Sequence, residues 1–190
     1  MPGRGQLRII AGELKGRRIR VPEIPGVRPT GDRVREALFS ILGGRLGGGR
    51  VLDAFAGSGA LGFEALSRGM ETADFVEEDR RAVETMRASA ASLGLASRCH
   101  VHHADVVRLL RRGALSGPFA LVLADPPWSE ELLPSFLAAL AEGAALDPGA
   151  TIVVEREADR PVPAPPARLH HVRTARYGRT SLDFFTEAAP

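Results

Sequence analysis

Asparagine is absent from this chain of 190 residues, and cysteine, lysine, tryptophan and tyrosine occur once each. The lone Cys99 cannot support a disulfide framework. No apolar run approaches the roughly 20 residues that a bilayer requires, and the opening MPGRGQLRII has no apolar stretch of signal-peptide length. The expectation is a cytoplasmic chain with a packed core, since 44% of its residues are hydrophobic and 25% charged.

The net charge of +2 conceals a polarity. Residues 1–35 hold nine basic groups against three acids, +6, which leaves 16 basic against 20 acidic, −4, for the rest. A polyanionic partner docking at the N-terminal end is the physical reading. Residues 6–22 read as a β-hairpin, with Leu7, Ile9 and Ala11 alternating with polar residues around a Gly12 to Gly16 turn. Prolines at 22, 25 and 29 interrupt the chain before Thr30, a candidate helix cap. The following helix carries Val34, Ala37, Leu38, Ile41 and Leu42 at helical spacing. Residues 1–45 are therefore taken as a basic extension and 46–190 as the main body.

From residue 50 short apolar runs alternate with helical segments. Strands are expected at 51–55, 73–77, 100–103, 119–124 and 150–155, with helices at 60–68, 80–93, 105–112 and 130–142. Such alternation implies parallel strands joined by right-handed crossovers, an α/β sheet covered on both faces. Residues 169–174 and 180–186 read as a closing hairpin around Tyr177-Gly178-Arg179.

The segment Val51-Leu52-Asp53-Ala54-Phe55-Ala56-Gly57-Ser58-Gly59-Ala60-Leu61-Gly62 satisfies the G-x-G-x-x-G pattern, and Glu77 stands 20 residues beyond Gly57. Asp53 discriminates between ligands: a carboxylate there opposes a pyrophosphate but suits the ammonium and sulfonium of S-adenosylmethionine. The glycines let backbone approach the ligand, and the helix beginning near Gly59 can receive its carboxylate. Glu77 would accept from the ribose hydroxyls. Asp79 reads as a helix cap, and Asp105 either as a cap or as an acceptor for the adenine amino group.

Asp125-Pro126-Pro127-Trp128 follows the run 119–124 and should lie beside the Gly57 loop, beyond the carboxyl ends of the strands. Its chemistry suits methylation of an exocyclic amine on a planar base. Asp125 and a carbonyl fixed by the prolines, Pro126 and Pro127, would accept from the amine, and Trp128 would stack on the base. Cys99, His100, His102 and His103 alternate across a strand and are not spaced as a tetrahedral set, so no metal is expected.

These residues resemble the class I methyltransferases, and more narrowly the RsmD family of bacterial 16S rRNA (guanine-N2)-methyltransferases. The likeness runs through Gly5 to Gly12, Arg28 to Phe39, Leu52 to Arg68 and Asp125 to Trp128. It implies a seven-stranded, Rossmann-like sheet of order 3-2-1-4-5-7-6 with a small N-terminal hairpin and helix extension, and S-adenosyl-L-methionine as cofactor. It further implies methylation of N2 of one guanine in 16S rRNA, within the 30S subunit or an assembly intermediate; separately, the chain is expected to act as a monomer. The alternatives are adenine N6 of DNA or RNA as target, or a non-catalytic rRNA-binding assembly factor. Asp125, Pro126 and Trp128 are the catalytic candidates. Thr30, Asp53, Ala54, Phe55, Gly57, Gly59, Glu77, Glu78 and Asp105 are the cofactor candidates, and Arg8, Arg17, Arg18, Arg28, Arg33 and Trp128 the candidates for substrate contact.

Overall fold

A computed structural model describes residues 5–22, 31–44, 46–127, 129, 131–143 and 146–187. A two-stranded antiparallel hairpin, β1 (Gln6–Arg8) and β2 (Arg18–Arg20), precedes helix α1 (Asp32–Ile41). Then follow β3 (Arg50–Ala54), α2 (Ala60–Ser67), β4 (Thr72–Glu77), α3 (Arg80–Leu93), a 3-10 turn, β5 (Cys99–His103), α4 (Val106–Arg111), β6 (Phe119–Ala124) and α5 (Leu132–Gly143). Strands β7 (Leu146–Glu157), β8 (Leu169–Tyr177) and β9 (Thr180–Glu187) complete the main sheet.

That sheet runs β5-β4-β3-β6-β7-β9-β8, with β9 antiparallel to both of its neighbours. Numbered from β3, this is the expected order 3-2-1-4-5-7-6. The strands are apolar on both faces because helices cover both. Phe39, Phe63, Phe75, Leu123, Val153 and Phe184 belong to one cluster with the hairpin's Ile9 and Ile19; Leu52, Val122, Phe136, Leu140, Ile152 and Phe185 belong to the other.

The local signals that worked were strong ones. Asp79 caps α3 by accepting from the amides of Arg81 and Ala82 (2.8 and 3.1 Å), and Gly94 closes it in the left-handed conformation. Elsewhere the structure departs from expectation. The N-cap of α1 is Gly31, with no side-chain bond, and Thr30, the expected cap, lies outside the described residues. The buried face of α1 also includes Arg35 and Phe39, a rotation that apolar spacing alone does not reveal. Strand β7 starts at Leu146 rather than 150, with a register irregularity where Phe119 to Leu121 of β6 pairs with it. Strand β8 extends to Tyr177 rather than ending at 174, because nearly every residue finds a ladder partner on β9. The described part of α5 starts at Leu132, and Glu130, its expected start, is outside the described residues.

The N-terminal hairpin is welded to α2. Glu64, 0% exposed, accepts from the amides of Ile10 (2.8 Å) and Ala11 (3.0 Å) and from Arg68 Nε (2.7 Å). Ser67 Oγ accepts from the Leu14 amide and donates to the Ala11 carbonyl. Arg35 Nη2 reaches from α1 to the Arg8 carbonyl at 2.8 Å. Its Nε and Nη1 are buried without a hydrogen-bond partner, and burial lowers its pKa although Asp32 and Glu64 oppose the shift.

Candidate active site

Three adjacent strands bring the acids level with one another. Ala54 is in register with Val76 of β4 and Ala124 of β6, so Phe55, Glu77 and Asp125 emerge side by side at the carboxyl edge of the sheet. Open α/β sheets bind ligands at this edge.

The loop from Phe55 to Gly59 is held from two sides. Glu77 Oε2 accepts from the Gly57 amide at 2.7 Å, and Oε1 accepts from the Asp79 amide at 2.8 Å. Each oxygen keeps a lone pair, so the expected ribose contact is compatible with this clamp. Phe55 adopts φ 62°, a left-handed conformation that is costly for a residue with a Cβ, and its ring meets Phe136 edge-on at 5.3 Å.

The glycines divide the work. A Cβ on Gly57 (φ 54°) would meet nothing within 4 Å, so this residue borders the open space. On Gly59 it would lie 2.8 Å from Phe63 Cε2, and on Gly62 2.3 Å from Phe75 Cε1. Gly59 therefore permits the αL turn into α2 and close packing behind it.

Asp53 also has a structural task that the sequence reading did not assign. It is 1% exposed, and Oδ2 accepts from the Gly62 amide at 2.8 Å, capping α2 from the neighbouring strand. Burial raises its pKa well above the ordinary carboxylate value; the Gly62 bond opposes the shift, while Asp125 and Glu77 add to it by repulsion. No cation contributes to that balance among the described residues. A group of acids of this kind fits a ligand that brings positive charge, such as an ammonium or a sulfonium.

Beyond β5, Asp105 caps α4 through the Arg108 amide at 2.7 Å. One carboxylate oxygen thus serves the helix. The pKa of Glu78 is raised by partial burial and then by its neighbour Asp105, and its carbonyl accepts from His103 Nε2 at 2.9 Å. Pro126 is buried, Asp125 half-buried and Pro127 exposed, while Trp128 lies outside the described residues.

Of the basic candidates, Arg8, Arg17, Arg18 and Arg33 are exposed, and Arg28, like Thr30, is outside the described residues. Register puts Arg8, Arg18 and Arg20 on the outer face of the hairpin, opposite the buried Ile19. Arg17 is partly spent on docking, donating to the Ser92 carbonyl at 2.8 Å. Sequence reasoning missed Glu64, Ser67 and Arg68. The available signal was three polar residues close together in a helix that is otherwise apolar. Among the described residues no group of three or more His, Cys, Asp or Glu is placed to hold a metal ion, and no helix is long and apolar enough to cross a membrane.

The chain matches the family model described as conserved hypothetical protein 95 over residues 7–186. It is 39% identical to ribosomal RNA small subunit methyltransferase D of Escherichia coli over 175 residues, 91% of this chain and 87% of the relative. The Haemophilus influenzae protein of the same name is 38% identical over 167 residues, covering 85% and 84%. A methyltransferase structure from E. coli superposes with a TM-score of 0.86 at 35% identity, covering 98% of this chain and 100% of that one. An RNA methyltransferase from Salinibacter ruber, solved with S-adenosyl-L-homocysteine, shares the fold at 16% identity and a TM-score of 0.63. The chain belongs to the conserved hypothetical protein 95 family, that of the RsmD rRNA methyltransferases.

Proposed function

We propose that this chain transfers the methyl group of S-adenosyl-L-methionine to the exocyclic N2 amine of one guanine in 16S rRNA, acting in the cytoplasm on the small subunit or an assembly intermediate. The coarser part, an rRNA methyltransferase acting on the small subunit, follows from the family. The observation that carries the chemistry is the alignment of Asp125 with Phe55 and Glu77 around the buried Asp53.

S-Adenosylmethionine supplies an electrophilic methyl group on a sulfonium. Glu77 and the Gly57 loop orient the donor, and Asp53 holds that loop against α2 while its charge favours a cation. Asp125 accepts a hydrogen bond from the guanine amine, turning its otherwise delocalised lone pair toward the methyl group. As the N–C bond forms and the C–S bond breaks, the nitrogen gains positive charge, which the Asp125 carboxylate stabilises. The proton leaves after transfer. Pro126, buried behind Asp125, fixes the backbone without adding a competing donor. Trp128 is proposed as the stacking face for a base turned out of its helix. The exposed Arg8, Arg17, Arg18 and Arg33, with Arg28, are assigned to rRNA phosphates.

The test is methyl transfer from tritiated donor to small subunits from a strain lacking the corresponding modification, followed by nucleoside mapping. N2-methylguanosine at one position is expected; methyl groups on adenine, or none, would overturn the assignment. Asp125→Ala should bind S-adenosylhomocysteine normally and lose turnover.

A further inference from the structure

Between Arg160 and Leu182 the chain carries five arginines and two histidines with no acid, an island of positive charge in the otherwise acidic body. This stretch forms the outer strand of the sheet. β8 has one ladder partner, β9, and runs parallel to β7, so its end at Tyr177 lies level with Glu157, at the same carboxyl edge as Asp125.

Register sorts the side chains. Arg173, Ala175 and Tyr177 lie opposite Phe184, Leu182 and Thr180, on the sheet face whose core holds Leu38 and Phe39 of α1 and Ile9 and Ile19 of the hairpin. Arg173 spreads over the Phe184 ring at 5.5 Å. Arg176, paired with Ser181, points to the other face of this edge strand and Arg179 follows in the turn, and both are exposed at the hairpin end. Tyr177, the only tyrosine, is 37% exposed, and Val172, at a slip in the ladder, is 59% exposed; they are the exposed large apolar side chains among the described residues. The strand is firmly mounted. Thr174 donates to the buried Asp183 at 2.5 Å, Asp183 pairs with Arg156, and His171 meets Phe185 edge-on.

We propose that the end of the β8–β9 hairpin is a second RNA-docking surface, in which Tyr177 stacks on an unpaired base flanking the target while Arg173, Arg176 and Arg179 bind phosphates. Arginines interleaved with an aromatic ring are what single-stranded RNA requires, and a cationic strand repels a second copy of itself. The N-terminal hairpin and α1 share a core with the sheet face that carries Arg173 and Tyr177, and Tyr177 ends β8 at the same carboxyl edge as Asp125. This inference rests on the rRNA reading of the site, and its test separates the two.

Binding of a fluorescein-labelled single-stranded RNA from the small subunit is measured by anisotropy across a salt series, alongside methyl transfer by the parent protein. Tyr177→Ala should weaken binding roughly tenfold, with Tyr177→Phe restoring it. Arg176→Ala/Arg179→Ala should lower the slope of log K against log salt by about 1.4, at about 0.7 per phosphate contact on a single strand. Unchanged affinity and slope in correctly folded variants would overturn the surface even if the parent methylates. Lost binding in variants of a parent that transfers no methyl group would leave the surface standing and remove the proposed function. A concentration-dependent dimer that Tyr177→Ala abolishes would reassign the strand to self-association and refute the proposal.

Discussion

Replacing Glu64 with alanine isolates the joint between the N-terminal hairpin and the catalytic body. The carboxylate accepts three hydrogen bonds, from Ile10, Ala11 and Arg68, at 2.7 to 3.0 Å. Truncation leaves all three donors without that acceptor. Each unmade bond at a buried site costs about 1–3 kcal/mol. Water reaches the half-buried hairpin amides, and Arg68 keeps the Gly44 carbonyl and its stack over Phe39. The total is then about 3–5 kcal/mol, the range for breaking a buried ion pair. At about 2–4 °C per kcal/mol for a chain of this size, melting should fall by roughly 10 °C. Hydrogen exchange should show the Ile10 and Ala11 amides losing protection while the Gly62 amide, held by Asp53, keeps its own. Glu64→Gln, which retains one acceptor oxygen, should fall between. The reasoning fails if Glu64→Ala melts within a degree of the parent with both amides still protected.

Other consequences are equally accessible. Asp53→Asn keeps an acceptor for Gly62 and removes a carboxylate that burial and two neighbouring acids hold above its ordinary pKa. The ligand-free variant should melt no lower than the parent at neutral pH while binding S-adenosylhomocysteine at least tenfold more weakly; unchanged affinity by calorimetry would refute the reading. The sign follows from the raised pKa: charging Asp53 opposes folding, so this contribution improves as pH falls through its folded value and is missing from the variant. Asp74 behaves oppositely. Burial pushes it up, but hydrogen bonds from His102 and Arg50 outweigh burial and leave it below the ordinary value, so its stabilisation is present at neutral pH and lost on acidification below about pH 4. Asp74→Asn should therefore lower the neutral melting point and flatten the acid limb of the melting curve. Gly62→Ala drives a methyl group against Phe75 and should cost about 1–3 kcal/mol, measured by urea titration.

What the sequence made legible was local. The strand, the glycines, Glu77 and the Asp79 cap lie within 30 residues and obey spacing rules, so their mutual placement could be read directly. Asp125 could be placed because parallel strands share a carboxyl edge. The buried Arg35 could not: helical periodicity treats arginine as polar, and its burial is decided by the Arg8 carbonyl, 27 residues earlier. Glu64 and Ser67 likewise look like interruptions of an apolar helix until the hairpin, more than 50 residues away in sequence, lays its amides on them. The bond from the Gly62 amide to Asp53 was hidden for the same reason: a residue type shows that a charge is available, while tertiary contacts decide what it holds.

Charging the buried Asp53 beside Asp125 and Glu77 costs the fold stability. A ligand that brings positive charge to these acids and binds only the folded chain raises its resistance to unfolding. Degradation in a cell samples the opened chain. Scarcity of methyl donor should therefore speed the turnover of this protein, which a pulse-chase under methionine limitation would measure.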